Sequence, residues 1–257
     1  MAEGDVVATS PLRKTTVRMQ RSSLVLLNAV TSWAGTLIGA AITFFLVPFL
    51  IAQLGKEGYG LTGLAITVMA FAGIAQLGLG GAMSRHLAEH IAKGDTHRFN
   101  EVVSSGATVF LPMGVVLASA CVIFAPELVG LLNVSAALHD QALFVVRYYT
   151  AGAVVLSFVT PVFGGVITST GKFTAHNYIG ATCSIGRGIL LFAVLGLTDW
   201  GLKGWCIVCL LVEVVRLTLL RYAAYRFWPE MRIAPRFVSR GALATLFSLG
   251  GNLFVLR

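Results

Sequence analysis

The sequence predicts an all-α, polytopic membrane protein, and three observations carry that prediction. Apolar residues make up 56% of the 257-residue chain and charged residues only 12%, about half the charged share of a typical soluble globular protein. Long intervals contain no Asp, Glu, Lys or Arg, and about 20 apolar residues are enough for a helix to cross the hydrocarbon layer. The positive charges that remain gather in alternate connecting segments, as the positive-inside bias of membrane proteins requires. The formal net charge of +8 therefore reads as a topology signal, and nucleic acid is not an expected partner.

The elements follow in order. Residues 1–23 form a basic cytoplasmic segment with Arg13, Lys14, Arg18 and Arg21. This segment lacks the apolar core and small-residue cleavage site of a signal peptide, so the first span is expected to direct insertion itself. A six-helix transmembrane lobe is expected over 24–228, with spans near 24–54, 58–84, 102–125, 145–171, 174–197 and 203–224. The intervals 22–55, 58–84, 102–126 and 148–171 carry no charge at all, whereas the fifth span tolerates Arg187 and the sixth Glu213 and Arg216. A basic linker, 229–240, leads to 241–257, which reads as the start of a seventh span and a second lobe. With the N-terminus in the cytoplasm, thirteen Lys and Arg residues fall on the inside, and only Lys56, Lys203 and Arg147 on the outside.

Several residues within the spans invite a functional reading. Pro48, Pro112 and Pro161 lie within or near the ends of spans 1, 3 and 4, where neighbouring helices can satisfy the carbonyls they free; each is a static kink or a hinge. Asn28, Ser32, Gly35, Gly39 and Thr43 recur at steps of three and four and share one face of span 1. Close helix packing is the ordinary explanation of such a stripe, and the lining of a wet cavity is the alternative. In span 5, Asn177, Gly180, Ser184 and Arg187 repeat in the same way. A mid-membrane guanidinium costs roughly 2.5–3.5 kcal/mol on insertion scales, so Arg187 should face a cavity or a carboxylate. The carboxylate at hand is Glu213, which could equally pair with Arg216 three residues on, leaving Arg187 for an anionic substrate. Arg147 is expected at the outer end of span 4, snorkelling or at a cavity mouth, and 126–141 suits an interfacial helix.

Two local patterns suggest chemistry. Cys206 and Cys209 form a CxxC inside an apolar helix without a second pair, so packing is expected and a metal role is not. His86-Leu87-Ala88-Glu89-His90 matches the H-x-x-E-H pattern of one class of zinc hydrolase, with Glu101, Glu127 and Asp140 as the nearest candidates for a third ligand. The preceding glycines, Gly78, Gly80 and Gly81, follow a membrane run and lack the strand and third glycine of a dinucleotide loop. The glycine stretch and the H-x-x-E-H pattern are expected to belong to one helix leaving the membrane, with no catalytic residue, metal or cofactor.

The order of these features resembles a family. The run "NAVTSWAGTLIGAAITFFLVPFLIAQLGKEGYGLTGLAI" passes through Leu54-Gly55-Lys56-Glu57-Gly58-Tyr59-Gly60, an LG-x-E-x-YG loop. The stretch "LGLGGAMSRHLAEHIAKGDTHRFNEVVSSG" then enters a cytoplasmic segment at Ser84-Arg85, and "GLKGW", Gly201 to Trp205, precedes the sixth span. From about Leu24 to Arg257 the chain is similar to the N-terminal part of bacterial polysaccharide flippases of the multidrug/oligosaccharidyl-lipid/polysaccharide exporter superfamily. The resemblance implies a carrier of the bacterial cytoplasmic membrane that moves lipid-linked, anionic glycans by alternating access, between two lobes of six or more helices.

On that resemblance Arg187 would be the cavity cation and Arg85 a cation at the cytoplasmic entry, with Arg147, Asn28 and Ser184 as further cavity candidates and Glu213–Arg216 as an intramembrane ion pair. Membrane lipids and a second lobe, in this or a separate chain, are the expected partners. A multidrug-type exporter of the same superfamily is one alternative; a non-transporting truncated fragment, suggested because the chain stops where a second lobe would begin, is the other.

Overall fold

The computed structural model describes residues 11–76, 79–130, 135–239 and 241–242, and among them every regular element is helical. Helix α1 (Pro11–Ala75) is broken at Gly55, whose φ of 73° and ψ of 168° lie outside the helical region. Only glycine adopts that backbone at little cost. The break answers a problem of length: a straight helix of 65 residues would run roughly 100 Å at ~1.5 Å per residue, about three times the hydrocarbon thickness. Gly55 lies in the loop sequence that separates the first two expected spans.

The second span departs from expectation. It does not run unbroken from 58 to 84, because α1 ends at Ala75, Gln76 turns back with its N–H on the Gly73 carbonyl (3.1 Å), and α2 (Leu79–Lys93) starts afresh. The interruption coincides with the glycine-rich stretch, where helix propensity is low. Helix α2 closes on Gly94 at positive φ, with Asp95 N–H on the His90 carbonyl and Gly94 N–H on that of Ile91, the bond pair of a Schellman ending. Asp95 then caps α3 (Thr96–Ile123) by accepting the Arg98 N–H at 3.0 Å.

The fourth span begins at His139 rather than 145, since α5 (His139–Phe144), a π-helical turn (Val145–Thr150) and α6 (Ala151–Ser169) form one rod. Within 126–141, where an interfacial helix is expected, the described residues hold α4 (Ala125–Gly130), a 3-10 turn (Ala136–Leu138) and the first turn of α5; residues 131–134, with Leu131 and Leu132, lie outside them. Helices α7 (Phe173–Leu197) and α8 (Gly201–Phe227) complete the bundle.

Gly35–Ile74, Thr96–Ile123, His139–Ser169 and Phe173–Leu197 are long and apolar enough to cross a membrane, the first containing both arms of α1 beyond its N-terminal third. Helix α8 carries Glu213, Arg216, Arg221 and Arg226, which lowers its apolarity, yet it packs along α6 and α7 as a full-length member. Trp33, Phe44, Phe45, Phe71, Val116 and Tyr222 are exposed on the outside of the bundle, a coat of large apolar side chains that fits lipid and not water. The chain is a polytopic, all-α membrane protein.

Helix α6 is the axis of the packing, with α3, α8 and α2 against it. Two apolar cores flank it. One gathers Met83, Phe99, Phe110, Phe158 and Ile167, and the other Leu61, Val145, Tyr149, Leu191 and Trp205. Contact between α3 and α6 depends on Gly114, where a Cβ would stand 2.9 Å from Phe158 Cβ and 3.4 Å from the Val155 backbone. Gly114→Ala is therefore expected to lower stability by about 1–3 kcal/mol through overpacking. Gly81→Ala, which would meet nothing within 4 Å, serves as the control in the same thermal melt, and equal melting temperatures would contradict the close approach.

Candidate functional site

One face of α6 is polar and small: Ser157, Thr160, Gly164 and Thr168 recur at three and four residues and so lie in a row. Gln76, Gly80 and Ser84 approach that row from the end of α1 and the start of α2. Together with Pro161, His176 of α7 and Glu213 and Arg216 of α8, they line a cavity of about 440 Å³. Gln76 Nε2 donates to Ser157 Oγ at 3.3 Å and ties the α1–α2 break to α6. Ser84, Ser157 and Thr160 donate to their own helices, to the carbonyls of Gly80 (3.0 Å), Val154 (2.8 Å) and Leu156 (2.8 Å). Their protons are thereby spent, and their oxygens remain as acceptors.

A charge cluster stands at the edge of this cavity. Glu213 Oε1 is 3.7 Å from Arg187 Nη1, and its Oε2 is 3.5 Å from Arg216 Nη1. The two pairings that the sequence leaves as alternatives thus occur together on one carboxylate. The Glu213 side chain is 18% exposed and the Arg187 and Arg216 side chains 40% and 36%, and neighbouring opposite charge offsets much of the cost of keeping ions at membrane depth. Two cations against one anion leave a single net positive charge. Arg216 and Glu213 face the cavity; Arg187 stands beyond Glu213 and is not among the lining residues.

His176 also lines a second cavity of about 260 Å³, between α1 and α7, with Gly35, Thr36, Asn177, Gly180, Ala181 and Ser184. Its Nδ1 is buried without a hydrogen-bond partner among the described residues. Gly164 makes room for the ring, since a Cβ there would be 3.2 Å from His176 Cε1. At Gly35 the small-residue stripe on span 1 borders this cavity. A Cβ at Gly35 or Gly39 would meet nothing within 4 Å, whereas one on Gly188 would stand 3.0 Å from Ile42. Ser184 is placed at the second cavity; Asn28 is helical, and its side chain lies outside the described residues. Arg85 on α2 and Arg147 in the π-turn are both exposed and line neither cavity.

The H-x-x-E-H pattern sits at the exit of α2. Glu89 accepts from Lys93 Nζ at 2.6 Å and lies 3.7 Å from His86 Nδ1, and the Lys93 ammonium holds the exposed Glu89 carboxyl below the usual carboxylate range. Among the described residues no three His, Cys, Asp or Glu side chains converge as a metal site. Cys206 and Cys209 are free, buried thiols packed in the core with Trp205 and Tyr149.

The model of the MatE family matches residues 25–194, from the first span through most of α7. The chain belongs to the MatE family. A Shigella flexneri protein described as an O-antigen transporter is 27% identical over 117 residues, 46% of this chain and 28% of that one. Among solved structures, a transporter of the MOP superfamily from Pyrococcus furiosus superposes with a TM-score of 0.70 at 20% identity, over 89% of this chain and 52% of that one. A multidrug resistance MATE family transporter in an outward-facing conformation gives 0.69 at 21% identity over the same shares. At such identities the structures establish the MatE fold alone. The chain spans about half the length of these solved relatives.

Gln76, Ser157, Thr160, Thr168 and His176 escape the sequence reading. The period count that isolates the stripes of spans 1 and 5 would have found the α6 row, because 157, 160, 164 and 168 repeat at the same steps. His176 had no such signal: its place between two cavities depends on how α7 leans on α1 and α6.

Proposed function

We propose that the chain is the first lobe of a carrier that moves lipid-linked, anionic glycan precursors across the bacterial cytoplasmic membrane by alternating access. Residues 24–228 form the lobe, 229–240 the cytoplasmic linker, and 241–257 the beginning of a second lobe, with the N-terminus in the cytoplasm. The observation that carries this reading is the net positive cluster Arg187–Glu213–Arg216 beside a hydroxyl-rich cavity. Guanidinium groups bind phosphate oxygens, and the acceptor oxygens of Ser84, Ser157 and Thr160 suit sugar hydroxyls. The likeness to an O-antigen transporter supports the same substrate class. Arg85, exposed at the cytoplasmic exit of α2, is placed to meet an incoming anionic headgroup, and Arg147 marks the outer end of the lobe.

A multidrug reading is favoured by one neighbour, the multidrug resistance transporter. A carrier of cations needs anionic side chains in its cavity, and Glu213, shared by two arginines, supplies little net negative charge.

The test is made in the full-length protein, complementing a strain that lacks its own flippase. Arg216→Gln and Arg187→Gln each remove the net positive charge while leaving Glu213 one partner. Each is expected to reduce glycan display about tenfold, the scale of a lost charge-assisted contact, at unchanged membrane abundance. Unchanged display together with lost efflux of a cationic dye would overturn the glycan reading in favour of the multidrug one.

A further inference from the structure

We infer that residues 230–239 form a strap fixed to the cytoplasmic end of α3, so that the segment leaving α8 is held by α3. The observation is a ladder of side chains on one helix that binds the backbone of an extended segment. Asn100 Nδ2 donates to the Glu230 carbonyl at 3.2 Å, and its Oδ1 accepts the Arg232 N–H at 2.8 Å. One turn further, Ser104 Oγ donates to the Arg232 carbonyl and accepts the Ala234 N–H, both at 3.3 Å. Thr96 Oγ1 donates to Glu230 Oε2 at 2.7 Å, and Ser105 Oγ accepts the Ser239 N–H at 3.2 Å.

The register has a geometric basis. Thr96, Asn100 and Ser104 step by four along α3, a rise of ~6.0 Å per step, and residues 230, 232 and 234 step by two along an extended chain, a rise of ~6.6 Å. The two periods nearly match, so a carboxamide and a hydroxyl on the helix take the part of a neighbouring strand, exchanging bonds with alternate residues of the strap. Asn100 and Ser104 are both buried, and Met231 inserts into the core beside Phe99 and Trp228. Phe99 stacks on Trp228 with ring centroids 5.1 Å apart, and His97 meets Phe237 edge-on at 5.8 Å.

The strap is thus held at both ends and along its length by α3, the helix that packs most closely on α6. Under the proposed function this strap is part of the linker to a second lobe, and it would couple that lobe to the α3–α6 pair. Any rocking of one lobe against the other must either carry α3 with it or act beyond residue 239. This consequence rests on the two-lobe reading, whereas the docking of the strap does not.

Residue-resolved hydrogen–deuterium exchange on the intact chain in lipid nanodiscs tests the strap without substrate, so a failure of the transport reading leaves the result interpretable. The amides of Arg232 and Ala234 are expected to exchange about tenfold more slowly than that of Ile233 between them, which bonds no described residue. Asn100→Ala should speed exchange at Arg232 about tenfold, and Ser104→Ala should do the same at Ala234, with the amides inside α3 unchanged as proof of folding. Uniformly fast exchange across 230–239, or a variant that leaves its partner amide as protected as before, would overturn the inference.

Discussion

Met83→Ala is expected to lower the stability of the lobe by about 3 kcal/mol, within the range for truncating a buried methionine. Met83 is fully buried on α2, and its side chain occupies a notch made by two glycines on two other helices. A Cβ on Gly106 of α3 would stand 2.6 Å from its Sδ, and one on Gly165 of α6 would stand 3.0 Å from its Cε. The methionine therefore joins three helices at a single point, and alanine would leave a cavity that none of them can close alone. The same geometry predicts coupling between the partners. Gly106→Ala in the parent chain must displace the thioether and so costs stability, whereas in the Met83→Ala background the added methyl fills vacated space. Thermal melts in detergent of the two single variants and the double variant measure this, and the double variant should be more stable than the sum of the singles requires. Strict additivity would show that the notch is not shared.

The membrane class was legible because it depends on composition and on where charges are absent, quantities that do not need tertiary contacts. The break between the first two spans was legible for a local reason: Gly55 supplies a backbone that other residues avoid, and the sequence around it already reads as a loop. The early end of α1 was harder, since a charge-free interval registers apolarity and is blind to a turn at Gln76. The start of the fourth span was missed for the opposite reason. His139 and Asp140 are polar, yet helical geometry continues through them into the π-turn that seats Tyr149 against Trp205, with ring centroids 4.6 Å apart.

Periodicity picked out the faces of α1 and α7 without revealing what each face meets. Gly35 and Gly39 have the pattern of a packing seam, but a Cβ on either would meet nothing within 4 Å, whereas one on Gly188 would stand 3.0 Å from Ile42, and Gly35 borders a cavity. The strap along α3 was invisible for the same reason. Asn100, Ser104 and Ser105 are unremarkable polar residues in the first half of a span until a segment some 130 positions away lies against them.

Glu213→Gln is expected to be the most damaging single change among the charged residues of the bundle, and the order of effects around it is itself the test. Removing the shared carboxylate leaves both guanidinium groups without their acid partner. Breaking a fully buried pair costs about 3–5 kcal/mol, and the partial exposure of both arginines reduces the expected loss to about 2–3 kcal/mol. Arg187→Gln or Arg216→Gln should cost only about 1 kcal/mol, because Glu213 keeps one partner in each case. A triple variant carrying methionine at 187, 213 and 216 removes every charge together, and replacing an ion cluster by apolar residues of similar volume is often close to neutral in stability. It should therefore melt well above Glu213→Gln and close to the parent. Melting curves in one detergent give this ranking; equal losses from all three single variants would mean that Glu213 is not the hub. The triple variant also separates two roles that the single variants confound. If the cluster serves folding alone, a stable triple variant will still support glycan display in the complementation strain. If its surplus positive charge contacts the substrate, the same protein will fold, reach the membrane and display no glycan.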